Sequence, residues 1–201
     1  MKVYFLGTGT SQGIPVIGSE HPVCKSTDPK DKRLRVSIWI RWDNYSYVID
    51  CGPDFRQQML TSGCKKVDAI LYTHEHTDHT AGLDDIRPFN FRQGEMPIYA
   101  HQRVIQNLKE RFGYVFETVN KYPGAPSVLP IEIKNDVSFS LGNKKIIPIN
   151  VYYGMLKVFG FRIDDFAYLT DVKTIAKGEI EKLKGIKILV VNALREEAHD
   201  T

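Results

Sequence analysis

The stretch Thr73-His74-Glu75-His76-Thr77-Asp78-His79 places three of the chain's six histidines, and an aspartate, within six positions. An apolar run of strand length, Val67–Tyr72, ends immediately before it. Alternate side chains of an extended chain point the same way, so we expect His74 and His76 to face together and a tight turn to bring Asp78 and His79 beside them. Zinc, manganese and iron all accept imidazole or carboxylate ligands. The spacing therefore predicts two neighbouring metal ions with two ligands each, rather than a solvated polar loop.

Composition narrows the class of protein. Apolar residues make up 42% and charged residues 25% of the 201-residue chain, as in ordinary globular domains. The net charge of +3 is small for a nucleic-acid-binding protein. No apolar run reaches the roughly 18 residues of a membrane helix, so no membrane partner is expected. The odd, widely spaced cysteines (Cys24, Cys51 and Cys64) argue against a disulfide framework and favour a reducing cytoplasm.

The hydrophobic pattern predicts strands in runs with helices inserted between them, which suggests packed sheets with helices outside. Strands are predicted at Val3–Leu6, Arg35–Trp42, Tyr45–Asp50, Val67–Tyr72, Pro97–Ala100, Val137–Ser140, Lys145–Val151, Lys157–Ile163, Phe166–Thr170 and Ile186–Val191. Helices are predicted at Pro53–Leu60, Arg103–Phe112 and near Glu179–Lys184. The least regular stretch, Gly113–Pro130, is expected to be either a surface loop or a lid over a binding site.

The histidine-rich stretch resembles the H-x-H-x-D-H signature of the metallo-β-lactamase superfamily. Further stretches resemble one branch of that superfamily: Gly7–Ser11, Asp50–Arg56, Gly82–Asn90 and Phe166–Asp171. That branch includes the cyclic phosphodiesterase of phosphonate breakdown and is related to the tRNA 3′-end nuclease ribonuclease Z. The resemblance runs from Val3 to about His199. It implies an α+β fold, a four-layer αββα sandwich, in which residues 1–201 form a single hydrolase domain.

The resemblance also implies how the metal ligands are shared. His74 and His76 would hold the first ion and Asp78 and His79 the second, while Asp171, at the end of a predicted strand, would bridge the two. The implied cofactors are two divalent ions, zinc or manganese. Without the resemblance, an aspartate at a strand end is also a common turn former.

Two departures from the family pattern concern the metal sites. The family has a histidine at the position that aligns with Tyr153, and another near its C-terminus, beyond a helix for which this sequence has no counterpart. Each ion is therefore expected to keep two ligands of its own and the shared Asp171. Both metal sites are expected to bind their ions more weakly than in relatives and to be only partly occupied. The sequence is also expected to lack the C-terminal segment of the family fold.

Several residues have both a functional and a structural interpretation. Asp50 is expected to orient a metal-bound imidazole, or only to end a strand. Thr77 is expected to face a substrate phosphate, or to brace its loop. His199 takes the place of a family histidine close to the substrate, and is either a proton donor or part of a disordered end. Tyr153 is expected beside the first metal site, and Asp78 to orient the nucleophile as well as bind metal.

Two further positions have a functional alternative that we favour less. Arg87 suits a phosphate group, but an ion pair with Asp84 or Asp85 is the preferred interpretation. His21 and Cys24 lie where relatives of the cyclic phosphodiesterase carry a three-cysteine structural zinc site. Two ligands do not complete such a site, so a plain loop with a buried thiol is preferred.

These features together predict a metal-dependent hydrolase. A hydroxide held by metal ions is a nucleophile at neutral pH, because coordination lowers the pKa of water to about 7. The favoured reaction is cleavage of a small or cyclic phosphate ester by a phosphodiesterase. A ribonuclease Z-like nuclease is the alternative, although the small basic excess does not favour nucleic acid as a partner. The missing ligands leave open a third possibility, a catalytically weak metal-binding member of the fold.

Overall fold

A computed structural model of the protein describes residues 1–194. The chain divides into two compact units, one of residues 1–131 and one that begins at Glu132. Within the described residues, each unit builds one six-stranded sheet. No helix among these residues has both the length and the apolar character of a membrane span.

The sheet of the first unit has the order β1-β2-β3-β4-β5-β6. Its strands are β1 Lys2–Gly7, β2 Ser37–Trp42, β3 Tyr45–Ile49, β4 Ala69–Leu71, β5 Met96–Ala100 and β6 Val128–Glu132, whose last residue belongs to the second unit. The pairs β1–β2 and β2–β3 are antiparallel, whereas β3–β4 and β4–β5 are parallel. The hairpin between β2 and β3 turns at Asp43-Asn44, as predicted, with φ of 48° at Asp43.

The parallel pairing of β3 and β4 decides where the functional residues lie. Ile49 at the end of β3 is in register with Leu71 at the end of β4. The carboxyl ends of parallel strands meet at one edge of a sheet. Asp50, which follows β3, therefore lies beside the chain that leaves β4, and its backbone N–H donates to the carbonyl of Leu71 at 2.9 Å.

Among the described residues, the first unit has six helices, four of which bury apolar side chains in one core. They are α1 Pro22–Lys25, α2 Phe55–Ser62, α3 Thr77–Thr80, α4 Arg87–Gln93, α5 Gln102–Arg111 and α6 Gly113–Phe116, with 3-10 turns at Pro29–Asp31 and Leu83–Ile86. Helix α5 buries Val104, Ile105 and Leu108, a spacing of three and four residues that places them on one face. The core brings them together with Phe55 of α2 and Ile70 of β4.

The second unit has the strand order β11-β8-β9-β10-β12, with β7 also paired to β8. Its strands are β7 Phe139–Leu141, β8 Lys144–Tyr153, β9 Leu156–Ile163, β10 Phe166–Tyr168, β11 Thr174–Ile175 and β12 Ile188–Val190, and its helix is α7 Lys177–Glu181. The long β8–β9 hairpin contributes Ile149, Val151 and Val158 to an apolar cluster with Ala167 and Leu169.

The predicted elements are all present with shifted ends, but the prediction for Gly113–Pro130 was wrong at both ends. Helix α6 occupies its first four residues, and β6 begins at Val128. A single helical turn is too short to show a periodic pattern, and Pro130 argues against a strand in a sequence reading. Helix α4 was not predicted either.

Substitution of Leu108 by alanine tests the core of the first unit. Leu108 is fully buried in α5, and we expect its truncation to lower the free energy of unfolding by about 2–5 kcal/mol. Leu60→Ala is the matched control, because Leu60 lies on α2 with 61% of its surface exposed and should cost less than about 0.5 kcal/mol. Urea denaturation of both variants is the measurement, and equal losses would contradict this packing.

Candidate metal centre

The histidine-rich stretch begins two residues after β4 ends. The chain has no regular structure from Tyr72 to His76, and α3 then begins at Thr77. The ring of His74 lies 4.6 Å from the ring of His76 and 4.2 Å from the ring of His79, centroid to centroid. The extended segment followed by a tight turn therefore gathers the three imidazoles. His74 and His79 are fully buried, whereas His76 is exposed.

The carboxylate of Asp50 lies fully buried behind these rings. Its Oδ1 accepts the backbone N–H of Thr73 at 2.9 Å, and its Oδ2 accepts the Thr73 hydroxyl at 2.8 Å. Oδ2 also lies 2.7 Å from Nδ1 of His79. Burial raises the pKa of the Asp50 carboxyl, while the neighbouring His79 and the donors of Thr73 oppose that rise. Asp50 has a φ of 65°, a conformation that aspartate tolerates better than most residues.

Both buried imidazoles use Nδ1 for contacts within the protein. Nδ1 of His79 faces Asp50, and Nδ1 of His74 lies 3.0 Å from the hydroxyl oxygen of Thr73. Nε2, on the other side of each ring, is thus the atom that each histidine offers to an ion. Nε2 of His79 lies 3.3 Å from Oδ2 of Asp78, and a ligand nitrogen of His74 lies within 4.8 Å of one of His79. Imidazoles held by a carboxylate, beside a second carboxylate, fit a divalent transition metal.

Two arginines of helix α5 hydrogen-bond to the same loop. Nη1 of Arg111 donates to the Glu75 carbonyl at 3.1 Å and to the Thr80 hydroxyl at 2.9 Å, and that hydroxyl donates to the carbonyl of His76 at 2.8 Å. The guanidinium of Arg103 contacts both oxygens of the Glu75 carboxylate, with Nε 2.8 Å from Oε1 and Nη2 3.0 Å from Oε2. The sequence shows these arginines only as charges on a helix, so it gave no signal for their role.

Two glycines allow the backbone after β3 to touch the backbone of α3. The N–H of Cys51 donates to the carbonyl of His79, and the N–H of Gly82 donates to the carbonyl of Cys51, both at 2.9 Å. A Cβ on Gly52 would lie 2.0 Å from the Asp78 carbonyl oxygen, and one on Gly82 would lie 2.1 Å from the Gly52 carbonyl oxygen. Neither position has room for a side chain.

Arg87 makes the ion pair that was the preferred interpretation. Its Nη2 lies 2.8 and 2.7 Å from the two carboxylate oxygens of Asp84. Asp84 also accepts the hydroxyl of Tyr114 at 2.8 Å, and burial raises the pKa of Tyr114 to about 12. Thr77 is exposed in the first turn of α3, and its role toward a substrate stays a prediction.

Asp171 and Tyr153 belong to the second unit. Asp171 follows Thr170 beyond β10, adopts a φ of 52°, and lies 3.2 Å, through Oδ1, from the Thr170 hydroxyl oxygen. Tyr153 ends β8, half-buried, and packs against the apolar cluster of that unit. His199 lies outside the described residues. The metal-related roles of all three stay predictions.

His21 and Cys24 have structural contacts. Nδ1 of His21 accepts the N–H of Val23 at 3.3 Å and so caps α1. Sγ of Cys24 accepts the N–H of Val16 at 3.4 Å, and hydrogen bonds from Ser19 and Val16 lower the pKa of the thiol. Within residues 1–194, neither side chain belongs to a group of three metal-ligand residues. The preferred interpretation was wrong on two points, since Cys24 lies within α1 rather than in a plain loop and its side chain is half-buried rather than buried.

Known proteins match this chain along most of its length. Residues 45–201 match the family model of the Beta-lactamase superfamily domain. The crystal structure of a diphosphatase from the PhnP family has 39% sequence identity and a TM-score of 0.90, in a match that covers 99% of this chain and 76% of that one.

Curated relatives are longer proteins. The octanoyltransferase of Porphyromonas gingivalis is 43% identical over 196 residues, which are 97% of this chain and 39% of that protein. A ribonuclease Z of Archaeoglobus fulgidus is 32% identical over 119 residues, which are 56% of this chain and 34% of that protein. The chain thus spans less than half the length of either relative.

Substitution of Gly52 by alanine tests the close approach of the two backbones. The new methyl group would displace the carbonyl of Asp78, and we expect zinc affinity to fall about 10–100-fold, as when groups that support metal ligands are lost. Gly178→Ala in α7 is the control, because nothing lies within 4 Å of its added Cβ and alanine favours a helix. Competition against a chromophoric zinc chelator measures both. Unchanged affinity in Gly52→Ala would show that the loop does not depend on this contact.

Proposed function

The chain belongs to the β-lactamase superfamily, with the metallo-β-lactamase fold, and we propose that it is a metal-dependent hydrolase that cleaves a small or cyclic phosphate ester. The observation that carries the proposal is the buried carboxylate of Asp50, which holds the Nδ1 side of His79 directly and that of His74 through Thr73. Burying a carboxyl group costs free energy, and a carboxylate on the Nδ1 side of an imidazole is the arrangement that orients metal-binding histidines. The diphosphatase and ribonuclease Z names of two relatives support hydrolysis of a bond to phosphorus.

We assign His74 and His76 to one ion, Asp78 and His79 to a second, and Asp171 to both. When bound, two divalent ions, zinc or manganese, supply Lewis acidity toward a phosphate group and lower the pKa of coordinated water to about 7. Tyr153 in place of the family histidine would leave the first ion weakly held, and partial occupancy of that site is part of the proposal.

The protein's own groups orient and transfer protons in this proposal. Asp78, a half-buried carboxylate beside Nε2 of His79, accepts a hydrogen bond from the attacking water and so sets its direction. The exposed hydroxyl of Thr77 donates to a phosphate oxygen. His199 donates the proton that the leaving oxygen requires.

A ribonuclease Z-like nuclease is the second candidate, favoured by the match to the Archaeoglobus fulgidus protein. A net charge of +3 offers few contacts to a phosphate backbone. Cleavage of a tRNA precursor at a rate that exceeds turnover of small esters, with binding that weakens steeply as salt rises, would favour the nuclease. The acyl-transfer name of the Porphyromonas gingivalis relative belongs to a protein of which this chain matches 39%, and acyl transfer is not part of the proposal.

Turnover of bis(p-nitrophenyl) phosphate, paired with metal analysis by plasma emission, tests the proposal. We expect activity to disappear after chelation and to return with zinc or manganese. Asp171→Asn should lower turnover by about 100-fold or more, because it removes a carboxylate that would hold the ions, and the loss even of groups that only support metal ligands costs about 10–100-fold. Asp164→Asn is the matched control, since Asp164 is another aspartate of the second unit with positive φ (55°).

The outcomes separate the candidate functions. Activity that survives thorough chelation would overturn the metal-dependent mechanism. Metal binding without turnover of any phosphate ester would favour the catalytically weak member of the fold. Equal activity in Asp171→Asn and Asp164→Asn would remove Asp171 from the proposed site.

Replacement of Tyr153 by histidine tests the proposed weakness of the first metal site. A neutral phenol is a poor metal ligand, whereas imidazole is a good one for zinc. We expect Tyr153→His to raise zinc content and turnover together. Tyr152→His is the control, because neighbouring residues of β8 point to opposite faces. If Tyr153→His holds no more zinc than the parent, the alignment of Tyr153 with the family histidine is wrong.

A further inference from the structure

We propose that Thr73 is a positioning residue, which fixes the hydrogen of the His74 imidazole on Nδ1. Its hydroxyl forms a relay, in which it hydrogen-bonds both to the carboxylate of Asp50 and to that ring. The inference rests on the proposed function only in treating His74 as a metal ligand. The tautomer itself follows from hydrogen bonds within the first unit. In the sequence, Thr73 is part of the histidine-rich stretch but carries no metal-ligand group.

The contacts of Thr73 allow only one direction for its hydroxyl hydrogen. The backbone N–H of Thr73 donates to Oδ1 of Asp50 at 2.9 Å, and its hydroxyl oxygen lies 2.8 Å from Oδ2 of Asp50 and 3.0 Å from Nδ1 of His74. A hydroxyl has a single hydrogen, and the Thr73 hydroxyl donates it to Oδ2 of Asp50. The hydrogen of Thr73 therefore points to Asp50. The hydroxyl oxygen then accepts from His74, which requires a hydrogen on Nδ1.

The opposite tautomer would place acceptors against each other. With no hydrogen on Nδ1 of His74, the hydroxyl would have to donate either to the ring or to the carboxylate, and the other pair would face lone pair to lone pair. Thr73 is 1% exposed, and Asp50 and His74 are 0% exposed, so water does not compensate the lost hydrogen bond. Unsatisfied polar groups at such burial are costly.

One carboxylate thus fixes the orientation and the tautomer of two imidazole rings. Asp50 holds His79 directly, at 2.7 Å, and holds His74 through Thr73. Both imidazoles then present the lone pair of Nε2, the form that binds a metal ion without first moving a hydrogen. Free histidine prefers its hydrogen on Nε2, so without the relay His74 would favour the tautomer that cannot use Nε2 as a ligand.

The test uses the metal-free full chain labelled with ¹⁵N at histidine, in three forms: the parent, Thr73→Ser and Thr73→Val. Two-bond and three-bond ¹H–¹⁵N correlation spectra report which ring nitrogen carries hydrogen. We expect His74 and His79 to have the hydrogen on Nδ1 in the parent and in Thr73→Ser. In Thr73→Val, which keeps the shape but loses the hydroxyl, His74 should shift to the Nε2–H form while His79 keeps its own.

Zinc affinity by chelator competition is the second readout. We expect Thr73→Val to bind zinc about 10–100-fold more weakly and Thr73→Ser to stay within about threefold of the parent. A parent spectrum with hydrogen on Nε2 of His74 would overturn the proposal whether or not the valine variant folds. A valine variant that keeps the parent tautomer at His74 would also overturn it. If all three forms show the expected tautomers but none of the three binds zinc, the relay is supported and the proposed function is overturned.

Discussion

The structure around the candidate centre depends on one buried polar group, the carboxyl group of Asp50. A carboxyl group with no access to water is stable only when neighbouring groups hydrogen-bond to it. Thr73 and His79 supply those hydrogen bonds. The parallel pairing of β3 and β4 places Asp50 and Thr73 at the same sheet edge, so the fold of the first unit and the orientation of the imidazoles have one physical origin.

The loop that carries the histidines is fixed by backbone contacts on one side and by helix α5 on the other. The missing side chain of Gly52 allows the chain after β3 to touch the carbonyl of Asp78. Arg111 bonds to the carbonyl of Glu75 and to the hydroxyl of Thr80. A catalytic group must be held within a fraction of an ångström of its working position. Rigid supports on both sides provide that precision to a segment with little regular structure of its own.

Sequence reasoning predicted the parts of the centre that have a local pattern. The spacing of the histidine-rich stretch and the apolar run before it were enough to predict clustered imidazoles, and the alternation in β2 and β3 predicted their hairpin. Asp50 was expected to orient an imidazole, and it lies 2.7 Å from Nδ1 of His79. The contact of Asp50 with Thr73 and the contacts of Arg111 with the ligand loop were not predicted, because they join positions that are distant in the sequence. Helix α6 was missed because a single turn is too short for its pattern to stand out, and strand β6 was missed because Pro130 argues against a strand.

A zinc-edge anomalous difference map from crystals grown with zinc tests most directly the claim that Asp50 and Thr73 prepare Nε2 of two histidines for a metal ion. We expect a peak at bonding distance, about 2.0–2.1 Å, from Nε2 of His74 or His79, with Nδ1 of both rings still on Thr73 and Asp50. A zinc ion bound through Nδ1 of either ring, or one found at His21 and Cys24 with none at the histidine cluster, would contradict it.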